Sequence, residues 1–338
     1  MCNVCMICGE NKATKTNSHI VPSFLMFFFT SYNGSGKRDT EVMFTLTNSK
    51  DSVYTGRSVS DTKIDQLFDK SKLTEERIQK ELSKNMVAKD FVFCPQCEKR
   101  PSDFLESPYA LYSKEGKLVD DDIPLSFWLS VIWRMSVTKD YGFDLGEALN
   151  ENLRLYLKSY FDVKEKSFDV TETVKTVPFR YKLLRCKDYC KSENGFLFAQ
   201  YKDGVLDVVL GEYILRVFFK LYGEFLNSPF MGAETYFVGS SVNHGTNVEQ
   251  AVDLDIETLK KFVGEFVKYA AYLKRKNVEA KLDLIWKRLE LPDAMPNQLK
   301  ELFFENYYNE DVKIGGRHEE KRFAEVLTPI LANYFGVK

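Results

Sequence analysis

Two Cys-x-x-Cys pairs, Cys5/Cys8 and Cys94/Cys97, constrain this chain more than any other feature. A two-residue gap lets both thiolates of a tight turn reach one ion, and four thiolates complete a tetrahedral zinc site with bonds of about 2.3 Å. Gly9, directly after Cys8, tolerates the positive φ that such a turn favours, and Pro95 stiffens the second turn. The pairs lie far apart in sequence. A metal held between them closes a long loop and supplies stability to a stretch with little core of its own. Cys2, three residues before Cys5, is an alternative ligand, and the competing reading is four unrelated buried cysteines. Cys186 and Cys190 read as core or loop thiols.

The rest of the composition narrows the class. The 338 residues carry 47 Lys and Arg against 49 Asp and Glu, a formal net charge of −2. That balance excludes a polybasic nucleic-acid coat, so any nucleic-acid contact must be local. With 27 Phe and 18 Tyr the chain can build a large aromatic core. Its length suggests two domains. No apolar run approaches the roughly 20 residues of a membrane-spanning helix, and the first residues lack the pattern of a secretory signal. The expectation is a cytoplasmic protein with no membrane partner, in which paired cysteines hold metal rather than form disulfides.

Along the chain, residues 1–110 look irregular, with a helical spacing at 64–87 between the cysteine pairs. Leu125, Trp128, Leu129, Ile132 and Trp133 then mark a helix with a wide apolar face, opened by Pro124 after the acidic Asp120–Asp122. A second helix is expected over 145–161. Short strands are expected at 179–184, 195–201, 206–210 and 235–238, with Lys202-Asp203-Gly204 as a hairpin turn. Residues 213–225 fit strand or helix. Helices are expected again at 256–270, 280–290 and 319–334. The fold class is therefore α+β: a zinc-held N-terminal module at 1–110, then a helix-rich α+β domain at 111–338. Trp128 and Trp133 read as core. Lys99-Arg100 reads as surface charge or a phosphate contact, Asn243-His244-Gly245 as a turn after a strand, and 315–319 as a flexible turn.

Eleven residues after Cys8 comes Ser18-His19-Ile20-Val21-Pro22. A first knuckle, a His-Ile-x-Pro and a second knuckle together resemble the HNH (ββα-metal) endonuclease superfamily in its zinc-stabilised form. Cys5, Cys8, His19, Ile20, Pro22, Cys94 and Cys97 carry the likeness, which covers about a third of the chain. The resemblance implies a treble-clef-like ββα-metal module and hydrolysis of DNA phosphodiesters, with RNA as the lesser alternative, in a setting such as bacterial anti-phage defence. It implies His19 as general base, Glu98 after the second knuckle as metal ligand, and Asn48 (or Asn85) as the middle Asn. It also implies a catalytic Mg²⁺ or other divalent ion separate from the structural Zn²⁺. Ser18 departs from the pattern, since the family usually has a metal-binding Asp, Glu or His there, and a weak, rebuilt or absent cation site would follow. Glu106 lies two helical turns beyond Glu98, about 12 Å along an α-helix axis, too far to share an ion directly. Residues 111–338 would recognise a substrate, a protein partner or a second copy of the chain. The alternative is a zinc-stabilised module that binds nucleic acid or protein without hydrolysis.

Overall fold

The structure, a computed structural model, describes residues 4–26, 42–46, 51–55, 60, 88–116, 120–166, 178–192, 197–219, 230, 232–245, 248–291, 293–309 and 320–336. In chain order the elements begin with strand β1 (Ser18–His19) and a single turn α1 (Ser23–Met26). β2 (Val42–Leu46) and β3 (Asp51–Thr55) pair antiparallel, and β4 (Ala88–Lys89) returns to pair with β1. One continuous helical run follows: α2 (Pro95–Pro101), a π-helical turn (Ser102–Glu106) and α3 (Ser107–Glu115). α4 (Ile123–Thr138) and α5 (Glu147–Glu165) precede β5 (Arg180–Arg185), α6 (Tyr189–Ser192), β6 (Leu197–Lys202), β7 (Val205–Leu210) and β8 (Tyr213–Phe218). The remaining elements are α7 (Glu234–Val238), β9 (Ala251–Asp253), α8 (Ile256–Arg288), α9 (Asn297–Asn309) and α10 (Glu320–Phe335). The content is α+β, as expected.

The residues cluster into two compact units, Met1–Gly36 with Asn85–Phe262 and Lys37–Lys84 with Val263–Lys338. Neither boundary falls at residue 110, where the sequence suggested a division. The helical run Pro95–Glu115 passes straight through that position. Three arginines also tie the cysteine-bearing segment to α4 and α5. Arg100 grips Glu165 through two bonds of 2.9 and 2.6 Å, Arg154 Nη1 donates to the Ile7 carbonyl at 3.0 Å, and Arg134 Nη1 donates to the His19 carbonyl at 3.0 Å.

α4 is the centre of the first unit. The expected apolar face is present, with Trp128 and Trp133 in the core, but every residue from Ile123 to Ser136 is buried. A helix buried all round must satisfy its polar side chains internally. Ser126 pairs with the Tyr156 hydroxyl at 2.7 Å, Ser136 accepts from the Leu145 amide at 3.0 Å, and Trp133 Nε1 donates to the Asn150 carbonyl at 3.0 Å.

The main sheet has the order β6-β7-β8-β5-β9, antiparallel except for β9 beside β5. Asp203 and Gly204 close the β6–β7 hairpin with positive φ at both positions (53° and 83°), the type I′ geometry that matches strand twist. β7 and β8 are buried at every residue, which suits their near-continuous aliphatic runs. The exceptions in those runs face each other: Asp207 and Arg216 are register partners joined by bonds of 2.7 and 3.0 Å.

Two expectations need correction, and one left open is settled. Residues 235–238 are helical, not a strand, because Glu234 folds back to accept from the Phe230 and Gly232 amides (2.8 and 2.9 Å) and Thr235 caps onto the Gly232 carbonyl. His244 therefore follows a short helix. The helices expected at 256–270 and 280–290 are one continuous α8, since residues 271–279 contain neither Pro nor Gly. Residues 213–218, open between strand and helix, are strand β8. The expected helices at 64–87 and the turn at 315–319 lie outside the described residues.

The second unit has its own core. Leu282 and Trp286 of α8, Phe303, Phe304 and Tyr307 of α9, and Leu327 and Ile330 of α10 form one buried cluster. Among the described residues no helix is long and apolar enough to cross a membrane.

Candidate metal centre and the groups beside it

Two backbone devices bring the cysteine pairs together. In the first knuckle, Val4 bridges Lys12, the Cys5 amide donates to the Asn11 carbonyl at 2.8 Å, and the Gly9 amide donates to the Cys5 carbonyl at 2.9 Å. Gly9 sits at φ +71°, the conformation anticipated for it. The segment before the second pair then pairs with the first knuckle: Met6 donates to Val92 (3.0 Å), Lys15 to Phe93 (3.1 Å) and Phe91 to Lys15 (2.7 Å). Cys94 is the N-cap of α2, Pro95 opens that helix, and Cys97 follows within its first turn.

The Sγ atoms of Cys5, Cys8, Cys94 and Cys97 all lie within 4.8 Å of one another, and all four residues are buried. In a zinc tetrahedron with bonds of about 2.3 Å the sulfurs stand about 3.8 Å apart, so this donor set can hold a zinc ion with little adjustment. The Asn11 amide points at the Cys8 sulfur (3.4 Å) and the Cys97 amide at the Cys94 sulfur (3.5 Å), contacts that favour thiolate. A hydrogen bond from the Cys97 thiol pulls Cys5 down to about 4, and the same contact, with burial, pushes Cys97 up. Zinc is bound by thiolates, so uptake of the metal by these cysteines releases protons.

β1 and α2 lead from this cluster to a second group of side chains. Along β1 burial alternates: Ser18 is fully buried and His19 is half-exposed. Glu98, one residue beyond Cys97, is half-buried, and burial raises its pKa. The neighbouring Ser18 hydroxyl and the Arg134 charge oppose the rise, and Glu106 adds to it. No hydrogen bond of normal geometry closes on Ser18 Oγ. The Arg134 guanidinium reaches Glu106 Oε1 at 2.7 Å, the His19 carbonyl at 3.0 Å and the Ser130 carbonyl at 3.3 Å, and its Nη2 has no hydrogen-bond partner. Glu106 ends the π turn Ser102–Glu106, which lies between Pro101 and Pro108 in this run. His19, Glu98 and the four cysteines are therefore carried by neighbouring elements of one module, while Asn48 lies outside the described residues. Arg134 escaped the sequence reading. Its signal was a lone charge inside an otherwise apolar helical stretch, where a buried cation must have a partner.

Elsewhere in the first unit, Glu249 receives three neutral donors: Tyr181 Oη at 2.5 Å, Tyr109 Oη at 3.0 Å and Trp128 Nε1 at 3.0 Å. Burial raises its pKa despite those bonds. Cys186 and Cys190 are buried thiols at the end of β5 and in α6, both pushed up by burial, Cys190 to about 12.

Comparison with family models, curated proteins and solved structures finds no match to this chain.

Proposed function

We propose that the N-terminal module is a zinc-held ββα unit of the HNH type that acts on nucleic-acid phosphodiesters. The observation that carries this reading is the arrangement of an antiparallel β1–β4 pair and a helix opened by Cys94, which keeps His19 and Glu98 on one four-cysteine scaffold. In this reading zinc is structural. His19 takes a proton from the attacking water, and it is half-buried rather than sealed in the core. DNA is the favoured substrate and RNA the lesser one, with the near-neutral chain requiring a local contact.

Among the described residues, the groups present do not fit the catalytic divalent ion of such nucleases. Hard cations take several oxygen ligands, and the described part of the module offers Glu98 with a buried hydroxyl at Ser18, while Glu106 is already paired with Arg134. No step is assigned to such an ion. A second reading, a binding module without hydrolysis, draws on the same observation.

A plasmid-nicking assay with and without added Mg²⁺ or Mn²⁺ separates the two. Nicking by the wild type that disappears in His19→Ala supports the nuclease. Equal nicking by both proteins removes His19 from the mechanism, and no nicking under any condition leaves the binding module.

A further inference from the structure

We propose that the middle of α8 is a docking surface for single-stranded nucleic acid, with the rings of Tyr269 and Tyr272 as stacking platforms for bases and the flanking Lys268 and Lys276 as contacts for phosphates. The inference carries the nucleic-acid reading above into the C-terminal part of the chain, and it rests on that reading for the choice of nucleic acid among polyanions.

A surface helix ordinarily hides one apolar stripe. α8 does so up to Phe266 and again from Val278, both buried, but every residue of 267–277 between them is exposed or half-exposed. This stretch holds Lys268, Lys274, Arg275 and Lys276 and no acidic residue, in a chain whose net charge is −2. It stays helical without a core to lean on because it contains neither Pro nor Gly, and because pairs one turn apart brace both ends: Glu265 with Lys268 at 2.8 Å and Glu279 with Lys276 at 3.3 Å. Tyr269 and Tyr272 are 43% and 54% exposed, and their rings stack at 6.4 Å with 27° between the planes. Held in solvent, this pair adds little to any core and presents its outer faces to a planar partner. Tyr272 has Lys268 and Lys276 one turn before and after it, and the Lys276 ammonium stands 5.8 Å from its ring centre. Both lysines are largely exposed and their ion pairs are weak, so each can exchange its glutamate for a phosphate oxygen. Arg275 is fixed instead by Glu279 and Glu301 and lies over the Phe304 ring at 4.4 Å, which anchors the stretch to α9. Positive charge around an exposed aromatic pair is the combination that holds a single strand: the charge follows the backbone and the rings take unpaired bases. A membrane surface fits less well. Val267, the third exposed large apolar residue of the stretch, lies about 160° and 140° around the axis from the two tyrosines, so no single apolar face forms.

The test is the fluorescence anisotropy of a labelled oligothymidine of about 20 nucleotides, mixed with zinc-loaded full-length protein and no added divalent ion, so that binding is read without cleavage. The wild type is expected to bind this strand at least about tenfold more tightly than a duplex of the same length. Tyr269→Ala with Tyr272→Ala is expected to weaken binding by about tenfold or more, while Tyr269→Phe with Tyr272→Phe, which keeps both ring faces, binds as wild type. Lys268→Gln with Lys276→Gln is expected to lower the salt slope of log K by about 1.4, the share of two phosphate contacts on a single strand. Equal affinity for strand and duplex overturns the proposal, as does an alanine pair that binds as wild type. Displacement of the strand by polyglutamate of equal charge also overturns it and marks an acidic protein partner instead. The strand, duplex and polyglutamate comparisons use the wild type alone, so they decide the matter even where a variant fails to fold. His19→Ala is expected to keep full affinity, and its loss would move the contact to the N-terminal module. Nicking is read separately: a protein that binds the strand and never nicks supports this surface and ends the nuclease reading, and one that nicks without this binding does the reverse.

Discussion

Glu249 and Glu98 are both raised in pKa chiefly by burial, and their surroundings differ in one respect. Around Glu249 the two tyrosine hydroxyls and the indole all point at the carboxylate and all close good hydrogen bonds. Around Glu98 the surroundings are less complete: the Ser18 hydroxyl and the Arg134 charge favour its ionised form, but Ser18 Oγ closes no hydrogen bond of normal geometry and Arg134 Nη2 has no partner. A fully satisfied buried network rigidifies a core, whereas an unsatisfied buried donor costs folding energy and persists where something other than stability maintains it. The first arrangement closes on itself, and the second lies one residue beyond the four-cysteine cluster.

The largest effect should come from the scaffold beneath both. Cys94→Ala with Cys97→Ala should abolish bound zinc, read as a fall from about one zinc per chain by elemental analysis. It should also unfold the N-terminal module, because structural zinc supplies an apparent ~10–16 kcal/mol in small zinc-dependent folds. Protein that retains zinc or an unchanged melting profile would break the four-cysteine assignment. Next in size is the buried pair in the sheet. Asp207→Ala leaves Arg216, 0% exposed, without its carboxylate, and urea unfolding should show a loss of about 3–5 kcal/mol.

The Glu249 cage should respond less strongly but distinctly. Tyr181→Phe removes one donor to the carboxylate and should cost about 1.5–3 kcal/mol in the same measurement. Its pH dependence has a definite sign. A carboxyl whose folded pKa is raised binds more protons folded than unfolded, so its stabilising contribution is full below the unfolded value of 4.5 and is lost as pH rises through the folded one. The stability of wild type relative to Glu249→Gln should therefore fall with rising pH across that window. A difference that is flat in pH would show that the cage compensates the burial of charge completely. The smallest effect belongs to Ser18→Ala, within about 0.5 kcal/mol, because the hydroxyl removed closes no hydrogen bond of normal geometry. A loss as large as that of Tyr181→Phe would erase the contrast between the two carboxylates.

Much of this was legible from residue order. The four clustered cysteines, the turn at Gly9, the helix of Trp128 and Trp133 and the Asp203-Gly204 hairpin all rest on local spacing or local backbone chemistry, which a sequence displays directly. Arg134 and Glu249 do not, because each acquires its meaning from partners 28 residues or more away, as Glu106 and Trp128 are. The helix at 234–238 escaped for a related reason. Its aromatic and β-branched residues favour a strand, and the side-chain caps from Glu234 and Thr235 override that preference. The division at residue 110 was suggested by the change from irregular to helical pattern, and a pattern does not reveal that a helix runs through the boundary.

The helical run Pro95–Glu115 carries Cys97 and Glu98 near one end and Tyr109, a donor to Glu249, toward the other. Between them the π turn takes up about one residue more than an α turn, and each residue is worth about 100° of rotation around the axis. The π turn therefore works as a phase setting, a fixed angular offset between the cysteine end of the rod and its aromatic end. Deleting a single residue from Ser102–Glu106 would leave both ends chemically intact and turn one of them away from its partners. The cysteine end and the tyrosine end are in this sense indexed to each other like two cams on one shaft.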